Sequence, residues 1–213
     1  MSSHATVEAQ VSDRKLVETR RGEIVRAAVK LFSERGYYST TIQSIAREAG
    51  ISVGLVYQYF REKDDLLYLS LKDVLETYER EIPQALQGVT HPLERLRVAI
   101  RTYCRVVDRL REATVLTYRS TKSLRPERRR YIMDGETRTN RLLEGCLREC
   151  VAGGFMHPVN GPLLVYQYVH FAHAWALKGW AFKRRYTLES YVREGFKLLL
   201  DPFLTAKGRR VRR

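Results

Sequence analysis

Apolar residues recur every three or four positions along nearly the whole chain, and the strict alternation of a half-buried strand is not found. That period makes the α-helix the building unit and predicts an all-α fold of nine helices. The first runs from about Arg14 to Arg35, with Ile24, Ala28, Leu31 and Phe32 on one face, and Gly36 stops it. A second spans about Thr41 to Ala49, with Thr41 as N-cap, and Gly50 ends it. A short third goes from Ser52 to near Tyr59. A long fourth starts at Lys63, has Asp64 and Asp65 at its positive end, and continues to about Glu81, where Pro83 should break it. Pro92 opens a fifth, to about Leu110, with a buried stripe of Leu93, Leu96, Ile100, Tyr103, Val107 and Leu110. A sixth covers about Glu112 to Ser123, and a seventh follows Pro126 to about Ala152. An eighth runs from Pro162 to about Arg184, and Thr187 caps a ninth to about Leu200.

Composition narrows the classes. The 213 residues are 44% hydrophobic, enough for a substantial core. No run of 18 apolar residues exists, so no membrane partner is expected. Residues 1–13 are polar, lack the apolar centre of a signal peptide and read as a disordered arm. Cys104, Cys146 and Cys150 lack finger spacing and read as core thiols, which fits a reducing cytoplasm. His170 and His173 have no nearby cysteine or carboxylate co-ligand, so no metal site is expected. No glycine phosphate loop, nucleophile elbow or HExxH motif appears, so nothing supports an enzyme, and no cofactor is expected.

The net charge of +14 is unevenly placed. Residues 1–69 hold 10 basic and 9 acidic side chains, a net of +1, whereas residues 70–213 hold 28 and 15, a net of +13. Such an excess draws a chain towards polyanions. It does not mark residues 40–67 as the reading surface.

That stretch, "TTIQSIAREAGISVGLVYQYFREKDDLL", places two helical patterns around one glycine. Two short helices on a tight turn, packed on a preceding helix, make a helix-turn-helix. Val56 and Phe60 belong to its core. Ser52, Val53, Gly54 and Leu55 are then free to enter a major groove, where Val53 and Leu55 suit thymine methyls and Gly54 permits close approach. Tyr57 and Tyr59 can bond phosphates, and Lys63 stands at a helix start that favours anions. Periodicity alone also allows a three-helix corner of some other α-protein, such as a carrier or enzyme bundle.

The residues in order are similar to the TetR family of transcriptional regulators. They are Thr41, Ile45-Ala46, Ala49-Gly50, Ser52, Gly54, Tyr57, Tyr59-Phe60, Lys63 and Leu66, with "AAVKLFSERGYYSTT" before them. The resemblance covers about residues 20 to 70. It implies a helix-turn-helix DNA-binding domain of three helices (residues 14–62) and a six-helix ligand-binding and dimerisation domain (residues 63–204), followed by a basic tail (residues 205–213). It implies a homodimer on a double-stranded, palindromic operator, released by a small effector. Thr41, Tyr57, Tyr59 and Lys63 resemble the family's phosphate contacts. Gln43, Val53, Gly54 and Leu55 resemble its base-facing positions, with Ser52 at the margin.

Four arginines of the fifth helix, Arg97, Arg101, Arg105 and Arg109, are each four apart and form a second stripe roughly opposite the apolar one. They read either as a solvated face or as cations at the mouth of a cavity. "RPERRR" (125–130) puts four more at a helix start, where cations are disfavoured unless an anion lies nearby. Aromatic side chains beside such cations suit an acyl-coenzyme A, to which several branches of the resembled family respond. Its tail would lie among Tyr103, Tyr118, Phe171 and Trp175, with its phosphates on Arg105 and Arg109. A fatty acid or hydrophobic drug is the alternative. Ala176, Leu188, Val192, Phe196 and Leu199 of the last two helices either complete the core or form a four-helix dimer interface.

Overall fold

The computed structural model describes residues 14–211, with side chains from residue 17. The expected N-terminal arm and the last two arginines of the tail lie outside the described residues. The fold is all-α, as the periodicity requires. Its helices are α1 (Arg14–Arg35), α2 (Ile42–Glu48), α3 (Val53–Tyr59), α4 (Lys63–Ala85), α5 (Pro92–Arg109), α6 (Arg111–Ser120), α7 (Pro126–Ala152), α8 (Gly161–Leu177), α9 (Gly179–Phe182), α10 (Leu188–Leu199) and α11 (Ala206–Arg209). Short 3-10 turns cover Thr121–Ser123 and Asp201–Phe203. Among the described residues no helix is long and apolar enough to cross a membrane.

Three boundaries differ from expectation. Pro83 lies inside α4, because it falls in the last turn, where a missing N–H removes one bond without severing the helix. The expected eighth helix is interrupted at Lys178 (φ −120°, ψ 27°), just before Gly179, giving α8 and α9. The basic tail forms one more turn, α11, capped by Thr205 Oγ1, which accepts from Gly208 N at 3.1 Å.

The chain forms two compact units. The first comprises residues up to Leu75 together with Glu112–Gly135, and the second comprises Glu76–Arg111 and Glu136 onwards. The first unit therefore extends beyond residue 62. Leu66, Leu67, Tyr68 and Leu71 of α4, Leu116 of α6 and Ile132 of α7 join the core formed by Ile24, Ala28, Leu31, Phe32, Ile45 and Val56.

The first turns of α4 and α7 are tied within this unit. Arg128 donates to Asp64 Oδ2 and Asp65 Oδ1, both at 2.5 Å, and Arg125 donates to Glu62 Oε2 at 2.5 Å. For Arg125 and Arg128 the nearby anion is thus the acidic stretch at the start of α4.

In the second unit α5 packs on α8. Leu93, Leu96, Ile100, Tyr103 and Val107 are buried, facing a core that includes Val165, Tyr168, Ala172 and Trp175. Gly195 of α10 sits against the Phe171 ring, so closely that an added Cβ would overlap it. The three cysteines are buried free thiols, and burial pushes Cys104 and Cys150 up to about 12.

Candidate nucleic-acid interface

Two caps define the local geometry of α2 and α3. Thr41 Oγ1 accepts from Ser44 N and Ser44 Oγ accepts from Thr41 N, each at 3.1 Å, a reciprocal capping box. Ser52 Oγ accepts from Leu55 N at 3.1 Å and starts α3. Between them Gly50 takes φ 67°, the left-handed conformation that turns the chain without a Cβ penalty. Ile42, Ile45 and Ala46 anchor α2, and Val56 and Tyr59 anchor α3.

What this leaves outside is a polar and aromatic face. Thr41, Gln43, Ser52, Gly54 and Tyr57 are all exposed, as a groove-reading surface requires. Gln58 is exposed too, and the sequence reading missed it. The signal was available, since Gln58 lies one turn beyond Gly54 on the same side. Val53 and Leu55 are only partly exposed and pack against the core, so they are less free than expected.

Two expected phosphate contacts sit elsewhere. Tyr59 is 3% exposed and its ring belongs to the core. Lys63 Nζ donates to the carbonyls of Tyr37 (2.8 Å), Tyr38 (3.3 Å) and Thr40 (2.9 Å), and lies 4.5 Å from the Tyr37 ring centroid. An ammonium has three protons, and all three are used to fasten the α1–α2 loop. Burial lowers its pKa.

The expected effector residues have several different partners. Tyr103 stacks on Tyr78 (centroids 4.1 Å apart), and its hydroxyl is 3.1 Å from His173 Nε2. Trp175 Nε1 donates to Asp108 Oδ1 at 2.8 Å, and Phe171 stacks on Tyr191 at 4.3 Å. Tyr118 belongs to the first unit, and Arg109 is paired with Glu81 at 2.6 Å. Arg105 lines a groove of about 420 Å3, which Leu188, Val192 and Phe196 also line. Among the interface candidates, Ala176 and Val192 are buried within the protomer, whereas Leu188, Phe196 and Leu199 are half-buried. His170 Nδ1 donates to Tyr166 O at 2.7 Å.

A capped pair of short helices presenting Gln43, Gly54, Tyr57 and Gln58 to solvent, followed by a separate helical unit, defines the class of a helix-turn-helix DNA-binding regulator. A model described as bacterial regulatory proteins of the tetR family matches residues 24–68, and one described as a tetracyclin repressor-like C-terminal domain matches residues 89–175. The HTH-type transcriptional regulator HbdR of Aromatoleum sp. (strain CIB) is 63% identical over 98% of this chain and 91% of its own length. Among solved structures, PfmR from Thermus thermophilus, a TetR family regulator, superposes with a TM-score of 0.75 at 26% identity, covering 89% of this chain and 99% of its own. AibR, solved in complex with isovaleryl coenzyme A and operator DNA, also gives 0.75, at 22% identity, covering 86% of this chain and 100% of its own, and shares the fold. The chain belongs to the TetR family of DNA-binding transcriptional regulators.

Proposed function

We propose that this regulator is a dimeric repressor whose hold on a palindromic operator is released by a small organic effector, an acyl-coenzyme A. The observation that carries the DNA part is the exposed face of Thr41, Gln43, Gly54, Tyr57 and Gln58 on two capped helices. Residues 14–62 serve as the reading head, residues 63–204 as the effector and dimer domain, and residues 205–213 as a basic tail. Gln43 and Gln58 contact base edges, and Thr41 and Tyr57 position the head on phosphates.

A dimer is supported by α8, which exposes Leu163 (58%), Tyr166 (48%) and Leu177 (36%) along one stripe, and by Leu198 on α10. The thioester is supported by the +13 charge of residues 70–213 and by AibR, which shares this fold and was solved with such a ligand and operator DNA. Release follows only if the effector binds the DNA-incompetent conformation more tightly.

The experiment selects a duplex from random sequence. It then measures its affinity for wild type and Gln43→Ala, with and without short acyl-coenzyme A thioesters and the matching free acids. A selected palindrome should emerge, Gln43→Ala should relax its sequence preference, and a thioester should weaken binding more than its acid. Uniform binding of all duplexes would overturn the repressor reading. Release by the acid alone would replace the thioester with a carboxylate effector.

A further inference from the structure

The arginine ladder of α5 has an arrangement that the DNA-reading face leaves unused. Arg97, Arg101 and Arg105 line one side of the 420 Å3 groove, and Leu188, Val192 and Phe196 of α10 line the other. Both rows step by four residues, about one helical turn, so each is roughly 12 Å long. A row of arginines thus faces a row of apolar side chains. The volume lies in the range of small-ligand sites, about 300–1,000 Å3.

The cations differ in how they are used. Arg97 is buried and bonded to Glu94 at 2.6 Å. Neither Arg101 nor Arg105 has a carboxylate partner among the described residues, although Arg101 lies 5.8 Å from the Phe196 ring centroid. Arg193 and Lys197 stand on the α10 side, and three carboxylates (Glu94, Glu189 and Asp201) complete the lining, so it holds five cations against three acids. A merely solvated arginine face would not need an apolar wall opposite it. Two guanidinium groups with no carboxylate of their own among the described residues leave the groove open to an anion.

We propose that the α5–α10 groove binds the phosphorylated nucleotide head of the effector, with its phosphates on Arg101 and Arg105 and its less polar face along Leu188, Val192 and Phe196. The identity of the head rests on the acyl-coenzyme A reading above. Guanidinium forks match phosphate oxygens in pairs, and the neighbouring apolar surface excludes water that would screen them. The groove lining does not include the packed Tyr78–Tyr103–His173 cluster, which holds Tyr103, one of the four side chains expected around the ligand's tail.

Calorimetric titration of the full chain with coenzyme A lacking any acyl group tests the groove without depending on DNA release. Wild type should bind it. Arg101→Gln and Arg105→Gln should each weaken it about tenfold or more. Arg109→Gln, whose arginine is paired with Glu81 outside the groove, should not. Thermal melts confirm that the variants fold. Phe196→Ala should weaken coenzyme A but leave inorganic pyrophosphate unaffected. Equal coenzyme A affinity in wild type and both groove variants, or no binding by wild type, overturns the proposal. If thioesters still release DNA from those variants, the effector reading survives and the groove assignment alone falls. If coenzyme A binds through Arg101 and Arg105 but no thioester releases DNA, the groove stands and the effector reading falls.

Discussion

Tyr57 and Tyr59 stand two residues apart on one seven-residue helix and have opposite fates. Tyr57 is 48% exposed and Tyr59 is 3% exposed. Successive helical positions rotate by about 100°, so two steps carry a side chain from the solvent face to the core. The period was legible in the sequence, but α3 is too short for its own pattern to fix the phase, which is set by packing on α1 and α2. Tyr57→Ala should therefore leave the melting temperature nearly unchanged and weaken binding to operator and random duplex alike. Tyr59→Ala should cost about 3–5 kcal/mol of stability, because it opens a cavity in the core. Urea unfolding with duplex titration separates the two, and a stable Tyr59→Ala protein that had lost only DNA affinity would return Tyr59 to the phosphate. Lys63 shows a different limit of sequence reading, since its three acceptors are backbone carbonyls 23 to 26 residues earlier, which no side-chain pattern records. His173 adds a pH effect. Burial lowers its pKa from 6.5 to about 4. Between those values the unfolded chain holds a proton that the folded chain lacks, so stability should be full above pH 6.5 and fall as pH drops towards 4, by at most about 3 kcal/mol. His173→Gln should flatten that part of the melting-temperature profile, and an unchanged slope would show that other groups set it.

At the scale of elements, most helix starts were legible because their signals are local. Thr41, Ser52 and Thr187 are N-caps, and Pro92 and Pro126 stand in first turns. Ends and interruptions were less so. Pro83 stops nothing because only one turn remained, and α11 depends on the close approach of Gly208 to the backbone of Phe155, a contact across more than fifty residues. The charges show the same contrast. The four arginines around the start of α7 predicted a nearby anion, but sequence could not say that it lay on α4. The side chains of Arg128, Asp64 and Asp65 are only 11%, 10% and 4% exposed. Removing one member of such a group strands the others in a poorly hydrated place. Arg128→Ala should cost about 3–5 kcal/mol in urea unfolding. Arg128→Lys should recover only part, because an ammonium is a point charge that cannot fork onto two carboxylates. A loss below about 1 kcal/mol, the range of exposed pairs, would mean that water already screens the group.

At the scale of the whole molecule, the sequence placed the dimer contact on the last helices, and the structure distinguishes their faces. Periodicity gives Val192 and Ala176 as apolar, but a monomer core and a dimer interface both need apolar residues, and only the fold shows that these two are already buried. The unmet faces carry Leu163, Tyr166 and Leu177 on α8 and Leu198, which is 72% exposed, on α10. Replacing Tyr166 and Leu198 together by Asp puts charge on a surface that the protomer does not need for its own core. The double variant should fold, with a melting curve close to that of an isolated protomer, and sediment as a monomer. Val192→Asp should instead unfold the second unit, since its carboxylate would be buried without a partner. A palindromic operator joins two half-sites, and linking two heads raises affinity over a single head by about 10²–10⁴. The Tyr166→Asp, Leu198→Asp protein should therefore lose affinity for the full operator by a factor in that range and keep its affinity for an isolated half-site. Sedimentation as an intact dimer would place the two-fold contact on another surface. A monomer that still held the full operator as tightly as wild type would show that dimerisation contributes nothing to recognition.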